Sequence, residues 1–299
     1  MPSYEPALSS LANPRVKGWA KLSERKYRQQ SGRFKLEGVH LVLEALAAGW
    51  PLEAIVFDEG CGLPDELRPY AERDGSHPAS GRVGPEWIPA SPDIIAKCSE
   101  TETPQPVFAV ALKNGADTSA LFGGAAMEGA PGSSDAPSGS ADPRGRGPVV
   151  VLDGVQDPGN VGTIVRCAAA SGAAAVVLGR GTADLYNAKT LRATMGSLFR
   201  VPTIEADLAG LLPEAKAHGA VLYGTSLQAE YSCYDLDLTG SGVWLLFGNE
   251  GAGLSPAAQA LIDRPVIIPM TGYAESLNVA MAATVLLFEA QRQRLVKRG

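Results

Sequence analysis

The sequence predicts an α/β protein in two parts, with a parallel sheet in its C-terminal half. Three observations lead there. Five apolar runs, at 149–152, 175–178, 220–223, 243–247 and 265–268, are nearly free of polar residues. Helical patterns near 162–171, 189–198, 207–217 and 256–262 alternate with them, and a last helix is expected over about 277–294. Strands that are apolar throughout, alternating with helices, are what a parallel sheet covered on both faces needs. A stretch from Asn114 to Pro148, in which 24 of 35 residues are Gly, Ala, Ser or Pro, separates this half from residues 1–113.

The N-terminal part reads as a smaller α/β unit. Pro14 to about Gln30 is a basic helical stretch. Phe34-Lys35-Leu36 suits a short strand. Val39, Leu43 and Leu46 repeat at helical spacing up to Gly49. Glu53–Asp58 is a second strand, Pro92–Lys97 a short helix, and Val107–Leu112 a closing apolar strand. The stretch 114–148 has little apolar surface to offset its ordering entropy, so it reads as a flexible linker. A chain of 299 residues accommodates two domains of ordinary size, here 1–113 and 149–299.

Composition narrows the function. The net charge is −6, but residues 1–35 carry +6 and the remainder −12. The excess comes from Arg15, Lys17, Lys21, Arg25, Lys26, Arg28, Arg33 and Lys35, a basic arm suited to a polyanion. Trp19 and Tyr27 within it suit either base stacking or inward packing. The longest strongly apolar run, Val279–Phe288, is well short of the roughly 18 residues that span a bilayer. The start Met1-Pro2-Ser3-Tyr4-Glu5-Pro6 shows no secretory pattern. Cys61, Cys98, Cys167 and Cys233 form no CxxC, and His40, His77 and His218 are scattered, so neither a zinc site nor a disulfide framework is expected. A cytoplasmic, metal-free protein is the expectation.

In a parallel sheet, ligands sit beyond the carboxyl ends of the strands. Three polar, glycine-rich loops follow predicted strands there. Asp153 to Gly162 leads into a helix bearing Arg166. Its glycines do not fit GxGxxG, and Asn160 stands where a phosphate-cradling loop needs lysine, which argues against a mononucleotide enzyme. The helix N-terminus there suits an anion such as RNA phosphate, and Arg166 is expected to reach back toward the same space. The second loop, Phe247 to Ser255, sets Glu250 amid glycines, with Ser255 and Pro256 positioned to start a helix. The third, Ile268 to Asn278, precedes an apolar helix. Ser276 and Asn278 stand where caps belong, and a buried Asn278 amide would need further partners.

Together GVQDPGNVGTIVRCAAASG, LLFGNEGAGLS and IIPMTGYAESLNVAMAATVLLFEAQRQR resemble, in order and spacing, the three signature motifs of the SpoU/TrmH RNA ribose methyltransferases of the SPOUT superfamily. The resemblance covers about residues 149–299. The segment LSSLANPRVKGWAKLSERKYRQQSGRFKLEGVHLVLEAL is similar to the family's ribosomal-protein-like RNA-binding domain. The linker is longer than the family usually carries. The resemblance implies a sheet closed by a trefoil knot, a homodimer with the last helix in its interface, S-adenosylmethionine as methyl donor, and a ribose 2′-hydroxyl of rRNA, or secondly tRNA, as acceptor. It implies catalytic roles for Asn160, Arg166, Glu250, Ser276 and Asn278, and donor contacts at Gly248, Ile268 and Leu277. The competing reading is a non-catalytic RNA-binding or ribosome assembly factor on the same scaffold.

Overall fold

The computed structural model describes residues 7–74, 84–113, 118–122, 147–273 and 276–298. Most of the predicted linker lies outside these residues. The chain gathers into two compact units.

The first unit is built on a four-stranded mixed sheet of β1 (Arg33–Glu37), β2 (Leu52–Asp58), β3 (Glu86–Ala90) and β4 (Val107–Leu112), in the order β1-β4-β2-β3. β4 runs antiparallel to β1 and β2, whereas β3 pairs parallel with β2. The strand β3 was not foreseen. It contains Pro89, which a sheet edge tolerates because only one side of the strand has to be paired. The expected single basic helix is two, α1 (Pro14–Lys21) and α2 (Arg25–Ser31). The break has a local cause: the Arg28 guanidinium turns back and donates to the carbonyls of Leu22 and Ser23, 2.7 Å each. Carbonyls at a helix end otherwise lack partners, and a cation there is favoured by the helix dipole. Helices α3 (Val39–Ala47), α4 (Arg68–Asp74) and α5 (Pro92–Cys98) complete the main body. Trp19 is buried edge-to-face against Phe108, with ring centroids 5.8 Å apart, so its expected alternative as a stacking platform is withdrawn. This unit also takes in Tyr186–Phe199, which carries α7 (Ala188–Thr194).

The second unit is a seven-stranded sheet in which every pair is parallel. Its strands are β5 (Val149–Asp153), β6 (Ala175–Leu178), β7 (Thr203–Glu205), β8 (Val221–Thr225), β9 (Tyr231–Ser232), β10 (Val243–Gly248) and β11 (Arg264–Ile267). Their order is β7-β6-β5-β10-β8-β11-β9. β7 and β9, three and two residues long, are too short to show a period. Successive strand residues face opposite sides. Val149, Val151, Trp244, Leu246 and Leu222 pack with α8 (Leu208–Ala217) and α9 (Pro256–Gln259). The helices α6 (Pro158–Ser171) and α10 (Val279–Arg298) pack on each other. Leu121 and Phe122, inside the stretch read as linker, pack on the α8 side of the core. The Phe122 ring stacks on His218 at 4.7 Å and lies parallel to Trp244 at 6.2 Å. No described helix is long and apolar enough to cross a membrane.

Candidate active site

Strand order places the site. β5 and β10 are neighbours, paired Leu152 with Phe247 and Asp153 with Gly248. β6 and β7 continue on one side of this pair, and β8, β11 and β9 on the other. Such a reversal opens a crevice at the carboxyl ends of the two strands. The loops leaving β5 and β10 therefore emerge side by side, although about 95 residues separate them.

They are fastened together at several points. Asp153 accepts from the Ser255 N–H at 2.7 Å. The Asn249 amide donates to the Gly154 carbonyl at 2.9 Å. Glu250 accepts from the backbone N–H groups of Gln156 and Asp157 at 3.0 and 3.1 Å. At the start of α6, Asp157 caps the Asn160 N–H at 3.0 Å. The expectation that this helix N-terminus holds an RNA phosphate is thereby corrected. The protein itself places carboxylates there: Asp157 on the Asn160 N–H, and Glu250 on the Gln156 and Asp157 N–H groups just before the helix.

Glu250 then begins a directional chain. Its Oε1 accepts from Asn160 Nδ2 at 3.0 Å. Asn160 Oδ1 accepts from Asn278 Nδ2, also at 3.0 Å. Asn278 Oδ1 accepts from the N–H groups of Ala280 and Met281 at the start of α10. Both amide orientations are dictated from the ends, because an ionised carboxylate can only accept and a helix N-terminus can only donate. Partial burial pushes the Glu250 carboxyl up. The hydrogen bonds from Gln156, Asn160 and Asp157 outweigh it and hold the pKa below the usual glutamate range. Asn278 is thus both a cap and a site residue. It is exposed, so the argument from a buried amide does not apply.

A cavity of about 550 Å³ opens beside this chain. Gly248, Ile268 and Leu277, the three expected donor contacts, line it, as do Glu250, Ser276 and Asn278. A Cβ on Gly248 would fall inside the backbone of Gly253 and Leu254, so the wall can approach this closely only with glycine. Sequence reasoning missed Thr225, Ser226, Leu227 and Gln228, which also line the cavity. They follow β8, and the same carboxyl-end rule applied to that strand would have found them. The volume falls within the roughly 300–1,000 Å³ of small-molecule sites. Among the described lining residues Glu250 is the one charged side chain, which suits a cationic ligand and gives a polyphosphate no counter-charge. Among the described residues no cluster of His, Cys, Asp and Glu could hold a metal ion.

Arg166 is not part of this assembly within the chain. It lies on α6 six residues beyond Asn160, roughly 9 Å along the axis. It is exposed, does not line the cavity, and makes no hydrogen bond or ion pair among the described residues. The expectation that it reaches back toward the loop is corrected: it stands two turns into the helix, not one. Its neighbour Cys167 meets Thr284 of α10 at 3.1 Å, which puts Arg166 next to the α6–α10 contact.

The basic arm divides. Lys17, Lys21, Arg25 and Lys26 are exposed. Arg15 is exposed but bound by both nitrogens to Glu86, and Arg33 pairs with Glu53. Arg28 is buried against helix-end carbonyls, and Lys35 is 5% exposed, donating to the Cys98 carbonyl and facing Glu37 at 3.2 Å. Neither can offer charge to a polyanion, so both leave the set of RNA-contact residues.

A sheet of this order with a glycine-walled cavity at its reversal point defines an α/β ligand-binding enzyme scaffold. Residues 147–288 match the SpoU rRNA Methylase family and residues 13–109 the MRM3-like substrate binding domain. The chain is 35% identical to the 23S rRNA (guanosine(2553)-2′-O)-methyltransferase RlmP of Bacillus subtilis, over 94% of this chain and 97% of that protein. It is 33% identical to the 23S rRNA (uridine(2479)-2′-O)-methyltransferase of Streptomyces viridochromogenes, over 95% and 91%. The crystal structure of the SpoU methyltransferase AviRb from Streptomyces viridochromogenes, in complex with the cofactor AdoMet, superposes with a TM-score of 0.77 at 32% identity, covering 95% of this chain and 98% of that one. The chain belongs to the SpoU rRNA methylase family.

Proposed function

We propose that this protein transfers a methyl group from S-adenosylmethionine to the ribose 2′-hydroxyl of an rRNA nucleotide. The observation that carries the reading is the Glu250–Asn160–Asn278 chain beside a cavity walled by Gly248, Ile268 and Leu277. The bound donor supplies an electrophilic methyl on a cationic sulfur. Everything else is positioning, which is worth many orders of magnitude when a nucleophile must approach in line.

Main-chain groups of the loops after β10 and β11 would hold the donor, and the Glu250 carboxylate would offset its positive charge. Glu250 is a poor base: its pKa lies low, and two backbone donors and one side-chain donor already use its lone pairs. Its task is to keep Asn160 pointed so that the amide presents one remaining N–H to the ribose. Ser276 and Asn278 bound the same space. Arg166 keeps its proton, as arginine does in proteins, and clamps the phosphate next to the target ribose by its two-nitrogen fork. The hydroxyl proton then leaves to phosphate or water.

Arg166 does this across a dimer. Met281, Phe288 and Leu295 recur every seven residues on α10 and are 51%, 43% and 62% exposed. An apolar stripe of this kind favours a helical seam with a second copy. Cys167 ties the Arg166 turn of α6 to this helix, so pairing along the stripe brings Arg166 near the partner's cavity. In this reading residues 1–113 hold the RNA, 114–148 link the parts, 149–299 hold a knotted catalytic domain, and the protein works in the cytoplasm.

The test is transfer of labelled methyl from S-adenosylmethionine to rRNA, and separately to tRNA, from cells lacking the gene, followed by mapping of ribose methylation. Label on one rRNA nucleotide is the expected result. A protein that binds both RNA and S-adenosylhomocysteine but labels nothing is an assembly factor instead.

A further inference from the structure

Asn249 precedes Glu250 and was not among the residues expected to form the site. Its side chain makes three hydrogen bonds, all to the protein's own backbone. Oδ1 accepts from Gly251 N–H and Ala252 N–H, each at 2.9 Å. Nδ2 donates to the Gly154 carbonyl at 2.9 Å. Its backbone N–H and carbonyl exchange 2.9 Å hydrogen bonds with Gly253. The acceptor oxygen thus curls the glycine loop that lines the cavity, and the amide nitrogen ties that curl to the first residue of the loop after β5.

We propose that Asn249 is a positioning residue that sets the alignment between the donor cavity and the Asn160 end of the site. Two adjacent side chains cross the same gap with opposite polarity. Asn249 gives a hydrogen bond to the Gly154 carbonyl, while Glu250 takes two from Gln156 and Asp157. A slip of one residue toward Pro158, which has no N–H, would leave Glu250 one backbone donor short. Asp153, accepting from Ser255 N–H, closes the far end of the loop. Between these anchors Asn249 fixes the spacing of the two loops, and with it the place of Asn160, the third residue of α6, which Glu250 and Asn278 hold directly. The role rests on the methyltransfer reading given above.

Two substitutions separate the two halves of the amide. Asn249→Asp keeps an acceptor for the Gly251 and Ala252 N–H groups but sets a carboxylate oxygen against the Gly154 carbonyl. Asn249→Ala removes both. The experiment uses the full-length protein and measures S-adenosylhomocysteine affinity by calorimetry, and kcat and KM for methyl transfer to rRNA. For N249D the expected result is a Kd for S-adenosylhomocysteine within about threefold of the parent, with kcat about 100-fold lower, the size of loss that a misplacement of about 1 Å produces. Its kcat relative to the parent should rise toward the acid end of the range in which the protein stays folded, because the introduced carboxyl, once protonated, regains a donor for the Gly154 carbonyl. N249A should lose donor affinity as well and show no such recovery. An N249D enzyme that turns over at the parent rate overturns the proposal while leaving methyltransfer intact. So does equal loss of donor affinity and kcat in both variants, which marks a merely structural residue. A parent protein inactive on every rRNA overturns both the proposal and the reading beneath it.

Discussion

Two regions drew attention in the sequence, and the fold treats them oppositely. The glycine-rich loops after β5 and β10, with the start of α10, held a handful of polar residues far apart in the chain. The arm from Arg15 to Lys35 held eight cations within 21 residues. The scattered set converges on one hydrogen-bonded chain, Glu250 to Asn160 to Asn278. The dense set disperses: Lys17, Lys21, Arg25 and Lys26 stay on the surface, while Arg28 and Lys35 turn inward. Loops at the carboxyl ends of adjacent parallel strands meet whatever their separation in sequence. Neighbours on a helix and a strand point in different directions whatever their density.

The convergent region is the more vulnerable to a single change. In Glu250→Gln the amide oxygen can still accept from Asn160, but its nitrogen then faces the Gln156 N–H, donor against donor. A loss of about 1000-fold in kcat/KM, roughly 4 kcal/mol, is expected with little change in RNA affinity. A variant within threefold of the parent would remove Glu250 from the chain. Gly248→Ala forces a methyl into the Gly253–Leu254 backbone, so calorimetry should show S-adenosylhomocysteine affinity falling about 100-fold or more.

Acid provides a milder probe of the same region. The pKa of Glu250 is depressed in the folded protein, so the stability its ionised form contributes is present above the ordinary glutamate value of about 4.3. That contribution is lost as pH falls through the lowered value. Asp263 and Glu289 are depressed as well, Asp263 against burial by hydrogen bonds from Leu222 and Lys216, and Glu289 by Arg292. Thermal melts should therefore hold steady from about pH 7 to 5 and drop below about 4. A drop centred near pH 6 would contradict the assigned carboxylates.

The dispersed region answers to two different measurements. Lys35→Met leaves the buried Glu37 carboxylate without its cation, and about 3 kcal/mol of stability should go in denaturant unfolding. The salt dependence of RNA binding should not move. Joint neutralisation of Lys17, Lys21, Arg25 and Lys26 should do the reverse: an unchanged melt, and a log–log salt slope shallower by about 3 on single-stranded RNA. Equal effects from the two would erase the distinction between them. Phe122→Ala, which removes the ring stacked on His218 and Trp244, should cost about 1 kcal/mol and leave turnover alone.

Much of this was legible beforehand. Strands β5, β6 and β10 declare themselves because a parallel strand buried on both faces must be apolar at every position, as Val149–Leu152 is; β8 and β11, partly exposed, show only shorter apolar runs. The site loops follow from the strand ends. β3 escaped notice because an edge strand with Pro89 reads as a turn, and β9 because two residues have no period. Phe122 escaped because its partners, His218 and Trp244, are about a hundred residues away. Arg28 and Lys35 escaped because a charged residue is assumed to face water unless its partners are known, and theirs lie elsewhere: helix-end carbonyls for one, the Cys98 carbonyl and Glu37 for the other.

Local chemistry was enough to specify the alternation of strand and helix, the carboxyl-edge location of the loops, and the residue types that gather there. Those depend on burial and backbone geometry, which each segment encodes in its own pattern. Which loops touch, which way the Asn160 and Asn278 amides point, and that Asp157 and Glu250 place carboxylates at the head of α6, came from the packing of the whole sheet. A hydrogen bond between residues 90 or 118 positions apart is a property of strand order, and strand order exists only once the chain has folded.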